Sequence, residues 1–152
     1  MRLAEALVLR ADCQRKVAQL KQRLGRVIKV QEGDQPSEPP AELLQELKHT
    51  LDELAVWIKK INKTNSLSPF NADLTLSEAL AERERIMQHR NILNELLNEA
   101  SIKQERYGRQ EVKFYTTIEV TSLQKDVDEL SKQYRELDFR IQEKNWSTDL
   151  LE

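Results

Sequence analysis

The chain contains the same pattern twice, which restricts it to folds built from two similar parts. Residues 3–10 (LAEALVLR) return 73 positions later as residues 76–83 (LSEALAER). Residues 23–26 (RLGR) return 83 positions later as residues 106–109 (RYGR), and the second offset holds as far as Asn145. Shared positions of this kind report what each part needs in order to fold.

The repeats set the expected domain organisation. With 152 residues, the chain is long enough for one domain, or for two half-domains that share a core. We predict a single domain over 1–152, with an internal duplication at about 1–65 and 75–148. The linker is predicted at 66–74, where Pro69 and Asn71 interrupt the helical pattern.

Apolar spacing predicts four long amphipathic helices. Helix one is expected from Leu3 to Leu24, ended by Gly25. Helix two is expected to start after Ser37 and to end near Asn62 to Asn65. Helix three is expected to begin after the capping box at Thr75 and to end near Tyr107, about 15 Å beyond the end of its counterpart. Helices two and four carry three-and-four-residue seams typical of a coiled coil, at Leu44, Leu47, Leu51, Leu54, Ile58 and Ile61, and at Leu123, Val127, Leu130, Tyr134, Leu137 and Ile141.

Two short segments resemble strands. The β-branched run at 27–30 follows helix one, and residues 111–120 alternate apolar and polar positions with a period of two. The predicted fold is therefore mostly α, with two helix–strand–helix repeats forming an antiparallel bundle or coiled coil with a small two-stranded β element. The two strands are expected to pair within one chain or between chains, because a lone strand cannot satisfy its backbone.

Composition excludes several classes of protein. The net charge of −2 and pI near 5.8 give no general attraction to nucleic acid or to an anionic membrane. Cys13 is the one cysteine, so no intrachain disulfide forms, and a reducing compartment is expected. With no signal peptide or apolar span in the sequence, we predict a cytoplasmic location.

The repeated arginine–glycine motifs are the candidate binding positions. Two guanidinium groups beside a glycine can hold phosphate or carboxylate, because the backbone can be approached closely. The alternative is a structural corner, in which the arginines pair with acids such as Glu5, Glu32, Glu105 and Glu111. The candidate residues of this corner are Arg23, Gly25, Arg26, Arg106, Gly108 and Arg109.

No catalytic, cofactor or metal site is predicted. Glu46 and His49 have the spacing of a di-iron ligand pair, but His89 lacks a matching glutamate, so a solvated surface pair is favoured. Cys13 lies in the apolar series of helix one, which favours a buried small hydrophobe over a nucleophile. Trp57 and Trp146, near the ends of helices two and four, are candidate oligomer-interface residues or partial-core residues.

Three segments resemble a bacterial family of short conserved proteins, catalogued as septicolysin or without assigned function. They are residues 3–10, residues 30–33 (VQEG) and residues 134–146. The resemblance implies a bacterial, mostly helical protein and no catalytic residues. The septicolysin name suggests a thiol-activated pore-forming toxin, but Cys13 lies in a helix seam with no tryptophan near it, which argues against that activity.

These features together predict a non-enzymatic, homo-oligomeric helical scaffold or adaptor with an unknown protein partner. A second hypothesis is a chaperone-like holdase, with helical arms on a small β platform. A third is a polyanion or nucleic-acid binder that uses the arginine-bearing helices, which the acidic pI disfavours.

Overall fold

The protein is mostly helical, as predicted. A computed structural model describes residues 1–101 and 112–152. The four helices are α1 (Leu3–Val27), α2 (Pro40–Leu67), α3 (Leu76–Ser101) and α4 (Val120–Ser147). The predicted extension of α3 to Tyr107 lies outside the described residues. The chain forms two compact units, of which the first contains Met1–Ser77 with Gln142–Glu152 and the second contains Glu78–Ile141.

In the first unit, α1 packs against α2. Leu20, Leu24 and Val27, one helical turn apart, form a buried cluster with Leu43 of α2, and Leu47 packs against it. This cluster holds together the two helix ends that the loop at 28–39 connects. Burial of each such side chain contributes about 1.5–3 kcal/mol.

The predicted strand at 27–30 is wrong. Gly25 does not end α1, and the helix continues to Val27, which is buried at 4% exposure. The reason is that Val27 extends the apolar face of Leu20 and Leu24, so tertiary packing outweighs the β propensity of the segment. The residues after α1, including Ile28 and Val30, are exposed and form no strand.

The second predicted strand is also wrong where the structure describes it. Residues 112–117 have no regular structure, and Phe114 and Tyr115 are 72% and 80% exposed. No strand occurs within 1–101 or 112–152, so the expected partner strand is missing and the alternating pattern has no ladder to join. The small two-stranded β element is therefore not part of the described fold.

In the second unit, the predicted seam of α4 coincides with positions that are shielded from solvent. The six residues from Leu123 to Ile141 listed above are all buried or half-buried. Side-chain hydrogen bonds connect α4 to α3: Arg83 Nη1 donates to Asp138 Oδ1 at 2.5 Å, and Arg90 Nε donates to Ser131 Oγ at 3.0 Å. Both arginines thus meet polar groups on α4.

The predicted seam of α2 is only half correct. Leu44, Leu51 and Ile58 are 51%, 44% and 37% exposed, whereas Ile61 is 1% exposed. The face that α2 does bury begins one residue earlier and repeats every three or four residues. Its members, all buried or half-buried, are Leu43, Leu47, Thr50, Leu54, Trp57, Ile61 and Thr64.

Two threonines on this buried face explain why it was missed. Thr50 and Thr64 are 1% and 0% exposed, and their hydroxyls donate to the carbonyl oxygens of Glu46 and Lys60, each at 2.8 Å. A buried hydroxyl costs little when it is bonded within its own helix. A search for apolar spacing passes over such positions and selects exposed leucines instead.

The connection from α2 to α3, which we call the first junction, is a turn over residues 68–76. Leu76 N donates to Ser68 O at 2.9 Å, and Phe70 N donates to Leu74 O at 2.8 Å. Pro69 and Thr75 form an isolated antiparallel bridge. Phe70, 4% exposed, is buried beneath this turn.

The end of α4 meets the start of α1 in the same pattern, which we call the second junction. Leu3 N donates to Thr148 O at 2.9 Å, Leu150 N donates to Met1 O at 2.9 Å, and Arg2 bridges Asp149. Each bond corresponds to one in the first junction, with offsets of 73 on the α1 side and 80 on the α4 side. The second junction therefore has the hydrogen-bonding pattern of the first, although the two segments that it joins are not consecutive in the chain.

The helix bounds follow the same two offsets. Leu76 begins α3 73 residues after Leu3 begins α1. α2 and α4 each have 28 residues, and both their ends differ by 80. The buried face of α2 maps onto the seam of α4 at this offset of 80, although the letter matches gave 83. Structural correspondence therefore follows burial and hydrogen bonding, not residue identity.

Candidate functional site

The arginine–glycine corner lies at the end of α1. Arg23 is half-buried, and its Nε donates to both carboxylate oxygens of Glu38 at 3.1 and 3.2 Å, while Nη2 donates to Oε1 at 2.5 Å. The hydrogen bonds from Arg23 lower the pKa of Glu38, and the charge of Arg26 lowers it further. Arg23 therefore ties the end of α1 to the segment that precedes α2, with Glu38 in place of the acids expected from the sequence.

The chain does not turn at Gly25. It lies inside α1, is exposed, and has open space where a Cβ would stand. Gly33, in contrast, has φ of +90°, a conformation that favours glycine. Arg106, Gly108 and Arg109, the other predicted corner, lie outside the described residues, and anion binding at either corner stays a prediction.

These two glycines give a test with opposite signs. Gly25→Ala should raise the free energy of unfolding by about 0.5–1 kcal/mol, because alanine favours the helix and meets no neighbour. Gly33→Ala should lower it by about 1 kcal/mol, because of its positive φ. Urea unfolding followed by circular dichroism measures both changes. A loss of stability in Gly25→Ala would indicate that another group packs against the backbone at residue 25 and clashes with the added methyl group.

The two tryptophans have different environments. Trp57 is half-buried on the face of α2 that packs inward, its Nε1 lies 3.5 Å from Glu53 Oε1, and Lys60 Nζ lies 5.8 Å from its ring centroid. Trp146, near the end of α4, is 60% exposed. Trp57 thus contributes to the fold, and its role at an interface and that of Trp146 stay predictions.

Cys13 is buried on α1 at 7% exposure. Burial raises the pKa of its thiol, and the negative charge of Glu53 raises it further. A thiol with a raised pKa carries little thiolate near neutral pH and is a poor nucleophile. These surroundings are those of a buried small hydrophobe.

An exposed apolar surface on α2 is formed by residues that the sequence pattern placed in one coiled-coil seam with Leu47, Leu54 and Ile61. Leu44, Leu51 and Ile58 recur every seven residues on α2, each more than a third exposed. We call these three residues the outer stripe of α2. The signal that could have revealed it is the second apolar series in the same helix, beginning at Leu43.

A groove in the second unit lies where the end of α3 faces the segment before α4. Its volume is about 450 Å³, and its lining includes Leu96, Glu99, Phe114 and Tyr115. Apart from Glu99, these lining residues present apolar or aromatic surface.

Among the described residues, the structure has neither a metal-binding cluster nor a membrane-spanning helix. Within 1–101 and 112–152, no three His, Cys, Asp or Glu residues are grouped to hold a metal ion. In the same ranges no helix has the length and apolarity needed to cross a membrane. The surface features left for function are the outer stripe, the arginines and the groove.

Fold and site together define a helical protein with two closely corresponding junctions and an exposed apolar helix face. Residues 10–150 match the profile of a family described as "Family of unknown function (DUF6847)", and the chain belongs to this family. It is similar to a protein of known crystal structure, described as a functionally unknown conserved protein from Corynebacterium diphtheriae. That match has 40% identity, a TM-score of 0.89 and 99% coverage of both chains. No curated protein matches the chain.

Proposed function

We propose that the protein is a non-enzymatic homo-oligomeric scaffold whose subunits associate through the outer stripe of α2. The observation that carries the proposal is the exposure of Leu44, Leu51 and Ile58 at heptad spacing. This spacing is typical of a helix that packs against another helix. From residue 44 to 58 the stripe is about 21 Å long, at 1.5 Å per residue.

A second copy of the chain fits the stripe in an antiparallel arrangement. The stripe is nearly the same in both directions, so Leu51 meets the second copy's Leu51 and Leu44 meets its Ile58. Such self-complementarity is what a two-fold interface requires. Near its centre, Lys48 pairs with Asp52 of its own helix at 2.9 Å, so the association leaves neither of these charges without a partner.

The charge distribution of α2 favours the same direction. The first half carries most of the acids and the second half most of the lysines. The first half contains Glu42, Glu46, Asp52, Glu53 and one lysine, Lys48, and the second half contains Lys59, Lys60 and Lys63. Antiparallel association places each acidic half beside a basic half and also opposes the two helix dipoles.

Sedimentation equilibrium from about 1 to 200 µM tests the proposal, a range chosen for a contact of modest area. We expect a reversible dimer, and Leu51→Lys should weaken it by about tenfold or more, because it places a charge at the two-fold axis. Val56→Lys is the matched control, since Val56 is 47% exposed and lies about 140° from Leu51 around the helix. A wild-type monomer throughout, or equal weakening by both variants, would contradict the proposal.

The resemblance of the three sequence segments to septicolysin-like proteins adds no activity to this proposal. A scaffold of this kind needs its exposed helix face and stable junctions, and the described residues supply both. The unknown partner of an adaptor would bind elsewhere on the assembled surface. Identifying it requires the oligomer in its native form.

A further inference from the structure

Arg10 of α1 stands out because its guanidinium lacks a partner. Its Nε is buried with no hydrogen bond, and the side chain is half-buried. Within the described residues, no ion pair is formed by Arg10, whereas Arg2, Arg15 and Arg23 each pair with an acid. An unpaired buried donor is costly, so such a group normally finds an acceptor.

The corresponding arginine in the second unit shows what acceptor belongs there. Arg83 follows Arg10 by 73 residues, the offset between the starts of α1 and α3. It pairs with Asp138, and the two side chains are 26% and 29% exposed. Asp138 follows Ile58 by 80 residues, the offset between α2 and α4. In the first unit, therefore, Ile58 occupies the position that holds the carboxylate in the second.

We propose that Arg10 is a carboxylate-binding position, open because its internal carboxylate is replaced by Ile58. The ligand is a carboxylate that reaches the terminal nitrogens of Arg10 from solvent, as Asp138 reaches Nη1 of Arg83. Ile58 is 37% exposed, and by its correspondence with Asp138 it would add an apolar surface beside this ligand. The carboxylate belongs either to a small molecule or to a side chain of a second copy. This proposal does not depend on the oligomer proposed above.

Restoring the internal carboxylate tests the correspondence. Ile58→Asp should have a Tm about 2–4 °C higher than Ile58→Asn, because only aspartate forms the ion pair. In the Arg10→Gln background this difference should vanish. Both substitutions remove the same apolar side chain, and measurement at low protein concentration keeps self-association out of the comparison. An equal difference between Asp and Asn in both backgrounds would overturn the proposal.

Binding itself is followed by NMR, using the Nε–H signal that is lost in Arg10→Lys. Sodium acetate, against sodium chloride at equal ionic strength, should shift this signal saturably in the wild type and leave it unmoved in Ile58→Asp. The corresponding signal of Arg83 is the control. In the Leu51→Lys variant, which weakens the dimer proposed above, a shift that appears without acetate as the protein is concentrated would identify a carboxylate of a second copy. No shift under either condition would overturn the proposal.

Discussion

Replacing Ile61 with alanine should lower the free energy of unfolding by about 2–5 kcal/mol, whereas the same change at Ile58 should cost about 1 kcal/mol. Ile61 is 1% exposed on the inward face of α2, and Ile58, three residues earlier, is 37% exposed. Truncating Ile61 leaves a cavity among packed side chains, while the space left at Ile58 opens to solvent. Urea denaturation at low protein concentration measures both values.

The pair of variants decides which face of α2 is the core. Both isoleucines belong to the seam predicted from the sequence, and that seam gives no reason for them to differ. Equal losses at the two positions would show that the seam packs as one face. The outer stripe would then not be a separate exposed surface. Unchanged helicity by circular dichroism is required of both variants.

Ending the chain after Thr148 should lower the free energy of unfolding by about 2–4 kcal/mol. The deletion removes the hydrogen bonds from Leu150 N to Met1 O and from Leu151 N to Thr64 Oγ1, both 2.9 Å long. It also uncovers the side chains beneath the half-buried Leu150 and Leu151. Thermal unfolding of the truncated and full chains measures the loss.

Removal of Glu152 alone is the control for this deletion. Its carboxylate is 91% exposed and meets Lys60 at 3.3 Å, a type of surface ion pair that contributes little. The control should therefore leave the Tm nearly unchanged. If the longer deletion were equally harmless, the second junction would not contribute to stability, despite its correspondence with the first.

The presence of four helices and the turn between α2 and α3 were predictable from the sequence, because helical period and local turn signals act over short distances. Thr75 comes directly before α3, and the linker between α2 and α3 lies where Pro69 and Asn71 indicated. The seam of α4 was predictable because every member is apolar or aromatic. These features depend on residues within one or two turns of each other.

Features that depend on distant partners were not predictable. Val27, the first residue of the strand-like run at 27–30, belongs to α1 because Leu43, far along the chain, completes a cluster with it. Arg23 was expected to meet other acids, since no local rule selects Glu38, fifteen residues away across a loop. The position of the acceptor that Arg10 lacks became visible only by comparison with Arg83 and Asp138.

The second junction also bears on how such a chain could arise. A gene for one helix pair would yield a polypeptide whose carboxyl end binds the amino end of its twin, through bonds of the kind that join Thr148 to Leu3. Tandem fusion would convert one of the two contacts into a peptide connection, the present residues 68–76. Folding would then no longer depend on protein concentration, because the two halves would belong to one chain. Thereafter each half could diverge separately, so that one retains an aspartate where the other carries Ile58.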